Sequence, residues 1–179
     1  TLAEAKRLLE ASFGDWKAPA TPAPKRLYDT PVPASKPRII LVDRPNSPQS
    51  VIVAGRILPF KGTDDLVNLN ASNEALGGGF LARINMNLRE AKGWSYGSYS
   101  GISTGLERTY FGVQAPVQAD KTGEALAEVR REVAEFTSTR GVQPDELTRI
   151  VSGNIRSLPG SFETSGSVLG GLVNIVRFG

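Results

Sequence analysis

Histidine and cysteine are both absent from the 179 residues of this chain. Without cysteine, the chain can form no disulfide, no thiolate nucleophile and no cysteine-ligated metal site. Without histidine, it lacks the commonest general base and the commonest zinc ligand. No apolar run approaches the ~18 residues of a membrane-spanning helix, so no membrane insertion is expected. The chain alone is therefore a poor candidate for zinc-based or thiol-based hydrolysis.

A strong excess of charge of either sign is also lacking. The 21 basic and 18 acidic residues give a formal net charge of +3. The basic residues are dispersed: Arg130 and Arg131, for example, lie between Glu128 and Glu132, as on a solvated helix face. Nucleic acid is therefore not an expected partner. The 40% hydrophobic content is sufficient for one packed core.

Proline divides the chain into two parts. Residues 1–12 predict a helix, because Leu2, Ala5, Leu8 and Leu9 form one apolar stripe. Residues 19–37 contain six prolines and few large hydrophobic residues, which is typical of an extended linker. We interpret residues 1–37 as the helical tail of a preceding domain followed by a linker, and residues 38–179 as an α+β domain. Because the chain begins without Met and stops within or just after a helix, we expect a longer protein.

The pattern after the linker predicts an α+β fold with an antiparallel-rich sheet and helices packed on one face. In residues 109–117 every second residue is suited to a buried face, which indicates a half-buried strand. Strands are predicted at residues 38–43, 50–58, 94–103 and 108–117, and helices at residues 63–76 (capped by Thr63 or Asp64), 80–91, 120–137, 144–158 and 161–176 (capped by Ser161).

Three consecutive glycines, Gly77, Gly78 and Gly79, separate two predicted helices. One interpretation is a tight turn with close helix packing, which needs residues without a side chain. The other is a loop that exposes its backbone to a ligand. A phosphate loop would continue with Lys and Ser or Thr, whereas Gly79 is followed by Phe80, so nucleotide binding is a poor fit.

Arg89 and Tyr96 follow this loop. By position alone, Arg89 is a cation at the C-terminal end of a helix, where it is favoured in any case. Tyr96, on a predicted strand with Trp94 and Ser98, could equally be an ordinary aromatic residue at a sheet edge. Together, however, a guanidinium and a phenol could donate hydrogen bonds to the oxyanion that develops on a peptide carbonyl.

The segment LGGGFLARINMNLREAKGWSYG resembles the signature of the C-terminal, zinc-less half of M16 (pitrilysin/insulinase-type) metallopeptidases. VDRPNSPQS, Asn73 and LPGSFETSGSVLGGLVN resemble further motifs of that half, so the similarity extends over most of residues 38–178.

This resemblance implies a mitochondrial processing peptidase-like α+β half, two of which form a closed peptide-holding chamber within one chain or a dimer. Zinc would be bound by an inverted His-x-x-Glu-His motif in the other half, which lies either N-terminal to this segment or on a separate subunit. This segment would bind no cofactor. Arg89 and Tyr96 would support the scissile carbonyl of a peptide, and Gly77, Gly78, Gly79 and Phe80 would contact that substrate.

Two alternatives stay open. M16-like folds also serve as non-catalytic structural subunits, although such a scaffold has no need of both Arg89 and Tyr96. An unrelated ligand-binding domain would require the long signature to be a coincidence. The absence of cysteine fits both the periplasm, which we expect, and the cytoplasm.

Overall fold

A computed structural model describes residues 1–21, 24, 31–32, 34 and 36–178 of the chain. The chain divides into two compact units, Thr1–Ile39 and Ile40–Gly179. In the first unit, helix α1 (Leu2–Phe13) is confirmed, and Thr1 and Glu4 form a capping box at its start. Most of the predicted proline-rich linker lies outside the described residues.

The second unit contains a three-stranded antiparallel sheet with the strand order β1-β3-β2. Strands β2 and β3 form an antiparallel hairpin, and β3 pairs on its other side with β1. On β3 the alternation predicted from the sequence is confirmed: Val113, Ala115 and Val117 are buried, and Gln114 is exposed. The strands are β1 (Gln49–Leu58), β2 (Tyr99–Thr104) and β3 (Thr109–Gln118).

Helices cover one face of this sheet. Leu76, Ile84, Leu88 and Val129 join the buried strand residues in one hydrophobic core. On the opposite face Val53 is 77% exposed, so the sheet has one buried and one open face. The helices are α2 (Val67–Asn73), α3 (Arg83–Asn85), α4 (Thr122–Phe136), α5 (Pro144–Ser157) and α6 (Ser165–Phe178), with π-helical turns at Glu74–Gly78 and Met86–Ala91 and 3₁₀ turns at Ala119–Lys121 and Pro159–Phe162.

The predicted fold class, an antiparallel sheet with helices on one face, is therefore confirmed. The predicted strand at residues 38–43 is wrong, since these residues form no strand with any residue that the structure describes. Its apolar side chains are largely exposed, with Leu41 at 87% and Val42 at 78%. A run of β-branched residues becomes a strand only where a neighbouring strand supplies hydrogen bonds.

Two predicted helix caps are also wrong. Helix α2 starts after Leu66 without a side-chain cap, and the Asp65 carboxylate instead accepts a hydrogen bond from the Val67 N–H. Helix α6 starts at Ser165, where Thr164 Oγ1 accepts from the Ser167 N–H over 3.1 Å. Thr164 therefore takes the capping role that was predicted for Ser161.

Candidate functional site

The three glycines end one helical segment and connect it to the next. The π-helical turn Glu74–Gly78 stops at Gly79, whose backbone is extended at φ −143° and ψ 175°. A second π-helical turn, Met86–Ala91, carries Arg89. Single π-helical turns occur frequently at functional sites of proteins. The helix break predicted at the glycines is thus confirmed.

Gly77 is buried against the beginning of β2. A Cβ atom at this position would lie 2.3 Å from Ser100 Oγ and 2.6 Å from the Ser100 backbone nitrogen. The Asn73 amide holds this serine from the other side: Ser100 Oγ donates to Asn73 Oδ1 over 2.7 Å, and Asn73 Nδ2 donates to the Ser100 carbonyl over 3.1 Å. Close packing therefore accounts for Gly77, whereas a methyl group on Gly79 would meet no described residue beyond its chain neighbours within 4 Å.

Gly77→Ala is expected to lower the free energy of unfolding by about 1–3 kcal/mol, because the new methyl group overlaps the Ser100 backbone. Gly79→Ala is the matched control: its Cβ would enter open space, and its φ of −143° suits any residue. Denaturant unfolding of both variants measures the difference. Equal stabilities would show that the contact with Ser100 relaxes without cost.

The Asn85 side chain connects the glycine segment to the segment that carries Tyr96. Asn85 is fully buried, and its Nδ2 donates to the Phe80 carbonyl over 2.7 Å. Its Oδ1 accepts from the Ser98 N–H over 3.1 Å. Because an unpaired buried amide is costly, both hydrogen bonds hold their backbone groups in place. Asn85 therefore fixes Phe80 relative to Ser98, two residues after Tyr96.

Tyr96 lies in a loop rather than on the predicted strand, because β2 begins only at Tyr99. The Ser95 hydroxyl donates to the Pro116 carbonyl over 2.5 Å and accepts from the Gly97 N–H over 3.1 Å. These side-chain hydrogen bonds replace the ladder that a longer strand would form. They hold both neighbours of Tyr96, whose own side chain is 87% exposed.

Arg89 lies against Phe80, as its guanidinium carbon is 4.5 Å from the centroid of that ring. This is a cation–π arrangement. The side chain is 36% exposed, and its Nε lies 3.3 Å from the Glu90 carboxylate. Arg89 and Phe80 are therefore in direct contact, whereas Asn85 and Ser98 connect Phe80 to the Tyr96 loop.

A buried ion pair anchors the helix that leads to Arg89. Arg83 and Glu146 are 7% and 14% exposed, and the Arg83 Nε donates to Glu146 Oε1 over 2.7 Å. Arg83 also donates to the carbonyls of Arg140 and Gly141. Its hydrogen bond holds the pKa of Glu146 below the ordinary value. This network fixes α3 to the start of α5.

Among the residues that the structure describes, no three His, Cys, Asp or Glu side chains lie close enough to hold a metal ion. Two side-chain roles at the site were not predicted from the sequence, namely those of Asn85 and Ser95. A polar residue between Ile84 and Met86 on a helix that faces the core was the available signal for Asn85.

Residues 1–154 match the family described as "Peptidase M16 inactive domain", so the chain belongs to the M16 peptidase family. A search of curated proteins gave no match. Among solved structures, the chain is similar to a peptidase M16 inactive domain from Pseudomonas fluorescens, with 27% identity and a TM-score of 0.62. That alignment covers 74% of this chain and 31% of the other.

Two further structures share the fold. A protease from Helicobacter pylori aligns with 19% identity and a TM-score of 0.69, over 95% of this chain and 41% of its own. The periplasmic protease PqqL from Escherichia coli aligns with 18% identity and a TM-score of 0.60, over 74% of this chain and 15% of its own. This chain thus spans less than half the length of each of these three proteins. No helix in the described part of the chain has both the length and the apolar character needed to cross a membrane.

Proposed function

We propose that this chain is the substrate-binding, zinc-free half of an M16 zinc metallopeptidase that degrades or processes peptides. In this role it completes the active site of a half that carries His-x-x-Glu-His, on the same polypeptide or on a partner subunit. Arg89 and Tyr96 support the carbonyl of the scissile bond, and the more exposed segment from Gly78 to Phe80 contacts the peptide.

The connection from Arg89 to Tyr96 is the observation that carries this proposal. Arg89 stacks on Phe80, the Phe80 carbonyl is bonded to Asn85, and Asn85 is bonded to Ser98 beside the Tyr96 loop. The backbone groups of Phe80 and Ser98 are thus held by one buried amide, the side chain of Asn85. Donors that project from backbone held in this way need less reorganisation to stabilise an oxyanion that develops during the reaction.

The exposure of the two donors supports the same role. The Tyr96 hydroxyl makes no hydrogen bond within the described part of the chain, and its side chain is 87% exposed. Arg89 is held by one cation–π contact and by the adjacent Glu90. Both side chains therefore retain donors for a ligand. The inactive-domain family and the proteases of similar fold make a peptide the favoured ligand.

A non-catalytic M16-like scaffold is the second candidate function. It is favoured by the exposed apolar side chains of α6, since Leu169 is 61% and Ile175 is 65% exposed. Such a surface is typical of a face that packs on another protein. A scaffold would not, however, account for two available donors near the glycine segment.

Reconstitution separates the two candidates. The isolated chain is expected to bind no stoichiometric zinc and to cleave no peptide, because carboxylates alone favour harder cations. Joined to the zinc-bearing half, it should give cleavage of a fluorogenic peptide that a chelator abolishes. Metal analysis measures the bound zinc, and steady-state kinetics measure the cleavage of the peptide. Zinc-dependent cleavage by the isolated chain would contradict the proposal, and a zinc half that is equally active alone would favour the scaffold.

The periplasm is the proposed compartment. PqqL, one of the proteases with a similar fold, is periplasmic, and a chain without cysteine is compatible with that oxidising environment. Fractionation of cells that produce the full-length protein tests this proposal, and recovery in the cytoplasmic fraction would contradict it.

A further inference from the structure

A small cavity lies beside Tyr96, and we call it the Trp94 niche. Its volume is about 140 Å³, and it is lined by Gln49, Gly93, Trp94, Ser95, Tyr96 and Gln118. Cavities of ~150 Å³ hold a molecule as large as benzene, whereas pockets for drug-sized ligands begin near ~300 Å³. The Trp94 niche therefore has room for one amino-acid side chain.

Two glutamines give this niche uncharged hydrogen-bonding groups. Gln49 and Gln118 lie opposite each other on the paired strands β1 and β3. Gln118 Nε2 donates to the Gly93 carbonyl over 3.2 Å, which leaves its Oε1 as an acceptor. The side-chain amide of Gln49 makes no hydrogen bond with any residue in the described ranges. A ligand in the niche thus meets both donors and acceptors.

Trp94 provides an apolar surface in the niche, and an ion-paired lysine lies near its ring. Trp94 packs against the hydrophobic core, so its ring is a fixed surface. The Lys92 ammonium lies 5.1 Å from the centroid of this ring. A flat indole suits the methylene groups of a side chain, and the Lys92 ammonium is already paired with Glu128 at 3.6 Å.

We propose that the Trp94 niche binds one side chain of the peptide next to the scissile bond and selects an amide, Gln or Asn. This inference rests on the proposed function. An amide donates and accepts at once, so it can pair with Gln49 and donate to Gln118 Oε1. A leucine side chain would contact Trp94 but would displace water from both glutamines without replacing its hydrogen bonds.

Peptide titrations of the full chain by ¹H–¹⁵N NMR test the selection. The probes are acetyl-Ala-Ala-X-Ala-Ala-amide peptides with X as Gln, Leu or Lys, at up to about 10 mM. The chain has two tryptophans, so Trp16→Phe identifies the Trp94 indole signal. The Gln peptide is expected to shift this signal and to bind about 5- to 10-fold more tightly than the Leu peptide, as two hydrogen bonds would give.

Gln49→Leu should remove most of the preference for the Gln peptide over the Leu peptide. It deletes one hydrogen-bonding partner of the peptide amide, and it breaks no hydrogen bond of the described chain. Gln114→Leu is the matched control, since Gln114 is an exposed glutamine of β3 outside the niche. Equal affinities for the Gln and Leu peptides would overturn the subsite while leaving the proposed function intact. Failure of every peptide to shift the Trp94 signal would also overturn the subsite, and cleavage by the reconstituted peptidase would then decide the proposed function separately.

Discussion

Glu146→Gln is expected to lower the free energy of unfolding by about 3 kcal/mol, near the low end of the cost of breaking a buried ion pair. The substitution keeps the shape of the side chain but removes the carboxylate that is hydrogen-bonded to Arg83, whose side chain is 7% exposed. The Gln143 N–H, which donates to Glu146 over 2.8 Å, would also lose a charged acceptor. For a chain of this size, the melting temperature should fall by roughly 6–12 °C.

Glu124→Gln is the matched control for this prediction. Glu124 lies on α4, is 54% exposed and has its partner Lys121 at 3.5 Å, so its loss should change the melting temperature little. Thermal unfolding followed by circular dichroism measures both variants. Equal melting temperatures for Glu146→Gln and the unmodified chain would show that Arg83 is sufficiently stabilised by the carbonyls of Arg140 and Gly141.

The same ion pair makes stability depend on acid. Because Arg83 lowers the pKa of Glu146 in the folded chain, the folded state binds fewer protons than the unfolded state. The contribution of this pair is therefore complete above the unfolded pKa and is lost as the pH falls through the folded pKa. Glu128, whose pKa is lowered to about 2 mainly by Arg131, acts in the same direction. Glu146→Gln should thus remove only part of the loss of folding stability at low pH.

Much of the fold followed from local patterns. Alternation in residues 109–117 was sufficient to place β3, because one buried face imposes a period of two on the sequence. The end of the helical segment at Ala91 was also predictable, since Gly93 follows it with φ +66°, which glycine tolerates best. Local chemistry decides these features without reference to distant residues.

The features that were not predicted from the sequence depend on contacts between residues that are far apart in the chain. Residues 38–43 have the composition of a strand, but composition alone provides no pairing partner. The Tyr96 loop depends on a hydrogen bond from Ser95 to Pro116, 21 residues later. Arg83 and Glu146 are separated by 63 residues. No local pattern encodes such pairings. The ion pair that anchors the candidate site could therefore be identified only from the folded chain.

The predictions for the candidate site residues also had different outcomes. Gly77 was predicted as a substrate contact or as a packing residue, and its contact with Ser100 supports packing. Phe80 and Tyr96 are exposed, as a contact with substrate would require. Substrate contact by the loop, and the roles of Arg89 and Tyr96, stay predictions.

In the reconstituted peptidase, Tyr96→Phe is expected to reduce turnover by ~10²–10³-fold, or about 3–4 kcal/mol, the usual cost of losing one oxyanion donor. The hydroxyl makes no hydrogen bond with the described residues, so its removal should leave the melting temperature unchanged. Tyr110→Phe, at a 55%-exposed tyrosine of β3, is the matched control. It should leave turnover unchanged as well.

Arg89→Lys should lower turnover to a similar extent, because an ammonium replaces neither the planar fork nor its stacking on the Phe80 ring, 4.5 Å away. If both donors act on the oxyanion, kcat should fall in each variant while KM changes little, because an interaction made only in the transition state is being removed. Donors that merely bind the ground-state carbonyl would instead raise KM. Near-native kcat in both variants, with unchanged melting curves, would show that Arg89 and Tyr96 are structural, and the scaffold function would then be favoured.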